Sequence, residues 1–517
     1  MSLRYQSLRM FYLSVLLGGC LALGVSVAPV ALAQANGTQP ALLVEVYPKP
    51  QTPLATYQPS PALTQALPQP TQALAWDELM RQVREHHPKV WQAALAIKQA
   101  QAKHLESQGA FDPNWTSDLK ALRYNSSSKR GEAGEGIGGT SQVEMLTPYG
   151  VKVEAGAALN AGDVKSPMSA TGEAGTYHIG VTVPLLRGAR WNKASVTERL
   201  ALLSVDVSSA AWVTAQLATM QEANKAYWQT WIYQQQQALW EGFVALADTQ
   251  RQQVATRANA GDLPLINTTE AERNWLKRQA DWVKVQQQAQ QSQLALSLYT
   301  WQSPEVPTPL PAEGWALPQA RQTPPSPPDD PTALEATLTQ ALQRHPQLQR
   351  VQWQRKQTEV EAAYANNLRL PDLDLVVAPG VDVGGDSVGP VFEAGIKLTV
   401  PLRNRTAKGK ILLAELTFEQ LNNDQRWLVQ QLATAWQQSL VAWRMTYQQY
   451  LVTQRMATEA QRLAEGERRR FLLGDGTLFL VNQRELDAVL AEVDLLNSEA
   501  AVHEAARLFE LQTLQWL

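Results

Sequence analysis

Few residues in this 517-residue chain have the types and spacing that chemistry needs. His86 and His87 are adjacent, and adjacent residues on a helix point about 100° apart. They cannot close on one metal ion, and no acidic or histidine partner stands in register. Beside Pro88 the pair reads as a helix start. Gly134-Glu-Gly136-Ile-Gly-Gly139 fits G-x-G-x-x-G. A dinucleotide fingerprint needs a strand before it and a helix after it. Residues 123–139 instead read as a flexible Ser/Gly/Glu/Lys loop leading into a strand. Arg468-Arg469-Arg470 reads either as a grip for an acidic partner or as a solvated stretch. No nucleophile–base arrangement and no phosphate loop is found. One cysteine and six scattered histidines exclude a disulfide scaffold and any Cys-based zinc site. The expectation is a protein that is not an enzyme and has no cofactor.

Composition narrows the class further. Forty-five Lys+Arg against 48 Asp+Glu give a net charge of −3, which excludes a basic nucleic-acid binder and an acidic solvating tail. Charged residues are 18%, below the roughly 25% of ordinary soluble domains. A mean hydropathy of −0.28 excludes a multi-span helical membrane protein. Arg4 and Arg9, the apolar run 10–30 and Ala31-Leu32-Ala33 form an export signal over residues 1–33. Leu17-Gly18-Gly19-Cys20 also resembles a lipobox, which would place a lipid on Cys20. Residues 34–75 form a proline-rich, solvated leader. A second proline-rich stretch, 302–332, separates residues 76–301 from 333–517.

The elements that these segments must build repeat. His87-Pro88 has a counterpart in His345-Pro346, and Pro113 in Pro371. Val181-Thr182-Val183-Pro184-Leu185 corresponds to Leu398-Thr399-Val400-Pro401-Leu402, and Arg257-x-x-x-Gly261-Asp262 to Arg470-x-x-x-Gly474-Asp475. Each half therefore follows one plan: helix, strands, very long helix, turn, helix. Residues 189–260 contain no proline, and their 72 residues would span about 108 Å as a helix. Residues 404–473 give a second helix of 70 residues. Shorter helices over 88–110 and 265–301, and over 346–369 and 477–517, would stack end to end along the long ones. Glycine turns at Gly261 and at Gly474-Asp475-Gly476 end the long helices.

The segments between helices alternate with period two. Val151, Val153, Ala155, Ala157 and Leu159 share one face, with Lys152, Glu154 and Gly156 on the other. Tyr177, Ile179, Val181 and Val183 repeat the pattern, as do Phe392, Ala394, Ile396, Leu398 and Val400. Expected strands cover 115–123, 141–146, 151–159, 176–183, 373–378 and 391–400, with Thr147-Pro148-Tyr149-Gly150 as a tight turn. In an exported chain without a spanning helix beyond its signal, one apolar and one polar face are the mark of a transmembrane barrel. Six strands fall short of the about eight that close a small barrel, so copies of the chain must share it. Trp115 and Tyr177 suit a membrane interface. Trp212, Trp228, Trp231, Trp240, Trp275 and Trp282 suit helix packing.

These landmarks resemble the TolC-like outer membrane efflux proteins, over essentially the whole chain from Trp76. The resemblance implies an α+β membrane protein built from two internal repeats. Three chains would form a transmembrane β-barrel continued by a long α-helical periplasmic barrel. It implies a homotrimer in outer membrane lipid, working as a passive exit duct with a periplasmic adaptor and an inner-membrane transporter. By position, the adaptor-docking tip carries over to Arg257, Gly261, Asp262, Arg470, Gly474, Asp475 and Gly476. Better-known members constrict the tip with acidic residues. The equivalent positions here are Leu480 and Gln483, neither acidic, so an aspartate gate is not expected at those positions. Asp262 and Asp475 are the nearest acids and read as turn caps. The rival reading is a structural periplasmic coiled-coil protein without a pore.

Overall fold

The computed structural model describes residues 73–517 other than 126–132, 163–169, 312–313, 319–322, 385–388, 515 and 517. The signal segment, Cys20 and nearly all of the leader lie outside the described residues. The first half runs α1 (Trp76–His86), α2 (Pro88–Gln108), β1 (Asn114–Asn125), β2 (Ala133–Leu146), β3 (Lys152–Gly162), β4 (Gly175–Pro184), α3 (Lys193–Asn259) and α4 (Ile266–Ser297). A short ribbon follows, β5 (Trp301–Ser303) and β6 (Val306–Pro307). The second half runs α5 (Pro331–Arg344), α6 (Pro346–Asn367), β7 (Asp372–Val383), β8 (Gly389–Thr399), α7 (Arg405–Leu472) and α8 (Leu478–Thr513).

The long helices have 67 and 68 residues rather than 72 and 70. Helix α3 starts late because residues 185–192 form a separate turn. Gly188 there has φ 92°, and Asn192 Oδ1 accepts from the Ser195 N–H at 2.8 Å, capping the helix. The shorter helices likewise end a few residues inside the expected bounds.

Helices α1 and α5 are additions to the expected plan. The sequence reading starts a helix at each His-Pro pair, whereas each pair joins two helices. Proline pushes the preceding residue out of helical geometry, and His87 (ψ 130°) and His345 (ψ 124°) are extended. Each histidine then caps the next helix. His87 Nδ1 accepts from the Lys89 N–H at 3.2 Å, and His345 Nδ1 from the Gln347 N–H at 3.3 Å. The helix-start role expected beside Pro88 therefore belongs to His87 itself.

Two compact units are present. In the first (105–198 and 361–412 among the described residues), six strands form one antiparallel sheet of order β1-β2-β3-β4-β7-β8. The pairing of β4 with β7 brings strands from both halves into the same sheet. All six expected strands are present, and most are longer than expected. The G-x-G-x-x-G stretch is part of β2, a correction to the loop reading. Its glycines hid the alternation that hydropathy would have revealed.

The second unit (73–104, 199–360 and 413–517) is helical. Helix α3 is long and apolar enough to cross a membrane by length and composition, contrary to the sequence reading. Its apolar side chains supply core: Leu217, Met220, Tyr227, Trp228 and Trp231 pack with Leu79 and Val83 of α1, Leu296 of α4 and Leu496 of α8. Trp436, Leu440 and Trp443 of α7 pack with Val502, Ala506 and Phe509 of α8. Burial of each such side chain stabilises by about 1.5–3 kcal/mol. Trp228, Trp231 and Trp240 are buried, in keeping with their expected packing role. The proline-rich linker is strapped onto this unit. The Leu74 N–H donates to Ala316 O at 2.8 Å, Trp231 Nε1 to Pro318 O at 2.9 Å and Trp443 Nε1 to Pro325 O at 3.1 Å.

Candidate functional site: a two-faced sheet and two glycine turns

Register decides what the sheet presents. Directly paired residues of an antiparallel sheet lie on the same face. Trp115, Val143, Ala155 and Ile179 stand opposite one another across β1 to β4. Met145, Val153, Val181, Val377 and Ala394 form a parallel row across β2 to β8. The row next to the first of these brings Gln142, Gly156, His178 and Gly380 together on the other face. Lys152 on that face pairs with Glu144 at 2.7 Å and lies 3.5 Å from Glu154. The alternation of each strand therefore adds up to one apolar and one polar surface.

The apolar surface is uncovered. Ile179 is 59% exposed, Phe392 69% and Ile396 72%. Trp115 is exposed and donates from Nε1 to Ser141 Oγ at 2.9 Å, whereas Tyr177 is half-buried. The outer strands β1 and β8 have no second partner strand among the described residues, so the sheet is open at both edges.

The two long helices end in the same turn. Gly261 and Gly474 both have φ 85°. The Gly261 N–H donates to Ala258 O at 3.1 Å and the Asp262 N–H to Arg257 O at 2.9 Å. The Gly474 N–H donates to Phe471 O at 3.1 Å and the Asp475 N–H to Arg470 O at 2.9 Å. This is the Schellman motif, and it explains the Arg-x-x-x-Gly-Asp spacing: the arginine is the third residue from the helix end, where its charge suits the dipole. Arg470 also reaches Asp475 through its side chain, Nε to Oδ2 at 3.4 Å. The Arg257 guanidinium lies 5.5 Å from the Phe471 ring, linking the two turns. Gly476 is tight, since a Cβ there would lie 3.0 Å from Phe471 N. Thr477 then caps α8 by accepting from the Leu480 N–H at 3.3 Å. Leu480 is half-buried; Gln483 is exposed and donates to Asp487 Oδ1 at 3.0 Å. Around the turns Leu265, Ile266, Leu473 and Phe479 are exposed.

Just behind the turns lies a charge network that the sequence reading missed. Glu485 of α8 is 2% exposed and pairs with Arg278 of α4 at 2.9 Å and with Arg468 of α7 at 2.8 Å. Gln250 of α3 also donates to it. The Arg278 guanidinium covers the Phe243 ring of α3 at 3.7 Å. Burial pulls the Arg278 pKa down, opposed by the Glu485 hydrogen bond. One carboxylate thus gathers α3, α4, α7 and α8. Of the three consecutive arginines, Arg468 is committed to this internal network, which corrects the solvated reading there, whereas Arg470 pairs with Glu467 and Asp475 and stays exposed.

No protein-family model matches the chain, and no curated protein matches it in sequence. Solved structures do match. The Campylobacter jejuni CmeC outer membrane channel superposes with a TM-score of 0.63 at 14% identity, over 85% of each chain. The Vibrio cholerae outer membrane protein VceC gives 0.57 at 15%, over 85% of this chain and 94% of that one. The open state of the Neisseria gonorrhoeae MtrE outer membrane channel gives 0.57 at 14%, over 85% and 88%. The chain has the TolC-like channel fold.

Proposed function

We propose that this chain is the outer membrane exit duct of a tripartite efflux or type I secretion system. It passes cargo passively from an inner-membrane transporter across the periplasm and outer membrane. The observation that carries the reading is the register-aligned apolar face on a sheet open at both edges. Such a face suits lipid, and such edges suit further copies of the same chain. Three copies contributing six strands each would close an eighteen-stranded wall. Twelve would result if the β2–β3 hairpin stood outside it. The fold shared with outer membrane channels supports this reading, as does the common helix–helix–strand–helix–helix order of the two halves, which we take as internal duplication.

The Schellman turns at Gly261 and Gly474, with exposed Leu265, Ile266, Leu473 and Phe479, form the docking tip for a periplasmic adaptor. Opening follows from movement of the helices held at Glu485. The test is conductance of the purified oligomer in a planar bilayer. Single-channel steps are expected; an intact oligomer that never conducts would favour the pore-free coiled-coil reading.

A further inference from the structure

By register, one end of the sheet holds the 147–150 hairpin, the end of β4 and the start of β7, and close by begin the two long helices. Residues 185–197 contain Arg187, Arg190 and Lys193 and no acidic residue. Residues 400–414 contain Arg403, Arg405, Lys408 and Lys410, again with no acid. Backbone bonds hold the first segment against the start of β7 and the residue before it. The Leu185 N–H donates to Leu373 O at 2.7 Å and the Arg187 N–H to Pro371 O at 3.3 Å, two residues beyond Arg369 in sequence. All these cations are exposed except the half-buried Arg187. Lys410 lies over the Tyr364 ring at 5.0 Å; the others have no ion-pair partner among the described residues. Asp372 and Asp374 at this end fall on the polar face by register, and Glu144 is taken by Lys152.

This charge runs against the fold. Neither α3 nor α7 has an acid in its first turn, where the helix dipole favours anions and disfavours cations. Apolar residues are interleaved with the cations. Leu402, between Pro401 and Arg403, is 95% exposed, and Leu185, Leu186 and Leu370 are exposed as well. Exposed Tyr149 sits in the hairpin. Leucine, cation and aromatic side by side at the edge of an apolar wall match the boundary between hydrocarbon and headgroups.

We propose that this rim binds the headgroups of anionic phospholipids in the leaflet nearest the helices. The proposal rests on the reading of the sheet as a membrane wall, and it adds a lipid class and an orientation to it. Cations at a lipid surface gain from anionic headgroups individually, so several together give a marked preference.

The test uses the full-length oligomer in neutral detergent. It is titrated with phosphatidylglycerol or phosphatidylcholine, and bound lipids are counted by native mass spectrometry. Phosphatidylglycerol should be retained about tenfold more tightly. The Arg403→Gln/Arg405→Gln/Lys408→Gln variant should lose most of that preference, while Arg403→Lys/Arg405→Lys keeps it. Equal retention of both lipids, a preference that survives the triple substitution, or its abolition by equimolar inorganic phosphate would overturn the proposal. Flotation with phosphatidylcholine vesicles separates the two readings. Protein that stays at the bottom refutes the membrane wall and the rim with it. Protein that floats without headgroup preference refutes the rim alone.

Discussion

Gly261 and Gly474 adopt the left-handed conformation in open space, since nothing lies within 4 Å of a Cβ built on either. Substitution there costs backbone strain alone, about 1–2 kcal/mol. Gly474→Val should therefore lower export while the heat-resistant oligomer persists; export at the original level in an assembled oligomer would remove the docking role. Glu485 is a different kind of residue. Its loss leaves Arg278 buried without its counter-ion, which costs about 3–5 kcal/mol. Removing the 39%-exposed Arg468 instead leaves Glu485 still paired with Arg278. Thermal melts followed by helical circular dichroism should show Glu485→Gln falling well below Arg468→Gln. The cap at His345 adds a pH dependence. Burial pulls this histidine down to about 4 from its ordinary 6.5. Because the folded state disfavours the proton, the stability contribution is complete above pH 6.5, fades as pH falls toward 4, and amounts to about 3 kcal/mol. Asparagine keeps a capping acceptor and cannot titrate in this range. The loss of melting temperature between pH 7 and pH 4.5 should thus be smaller in His345→Asn.

The strands and long helices could be read in the sequence because their signals are local. Val151 to Leu159 alternate in hydropathy, and the long helices are bounded by glycine and free of proline. Residues 133–139 defeated the same test because glycine carries no side chain to alternate. The polar face uses glycine for room: a Cβ on Gly156 would lie 2.5 Å from Gln142 Cβ, and one on Gly180 2.7 Å from Glu154 Cγ. Glu485 was illegible for another reason. Its partners come from three other helices, one of them 235 residues away, and no spacing rule links them. Sheet register makes a sharper mutational contrast than alternation alone. Val153 sits between Met145 and Val181 on the apolar face, whereas Glu154 lies on the polar one. An arginine on a lipid-facing position near the bilayer midplane costs about 2–4 kcal/mol. Val153→Arg should reduce the heat-resistant oligomer recovered from outer membranes, and Glu154→Arg should not. Equal tolerance would place the β2–β3 hairpin outside the wall.

At the scale of the whole molecule, the proposed assembly joins β1 of one copy to β8 of the next. Residues 34–517 contain no cysteine, so introduced pairs report on this seam directly. Cysteines scanned along Leu119 and its neighbours against Ile396 and its neighbours should yield covalent species up to three chains on non-reducing gels. Only crosslinks within one chain would refute the shared wall. In the proposed assembly, the two edges left unpaired among the described residues would also govern how the molecule comes into being. A lone chain carries both edges and the bare Phe392, Ile396 and Leu398 side chains, a template for indiscriminate strand pairing. Closure in the proposed assembly needs other copies, so its rate would rise steeply with local chain concentration, while stray pairing proceeds throughout. Yield is then a race between encounter and aggregation, decided by how long the open edges survive before their neighbours arrive.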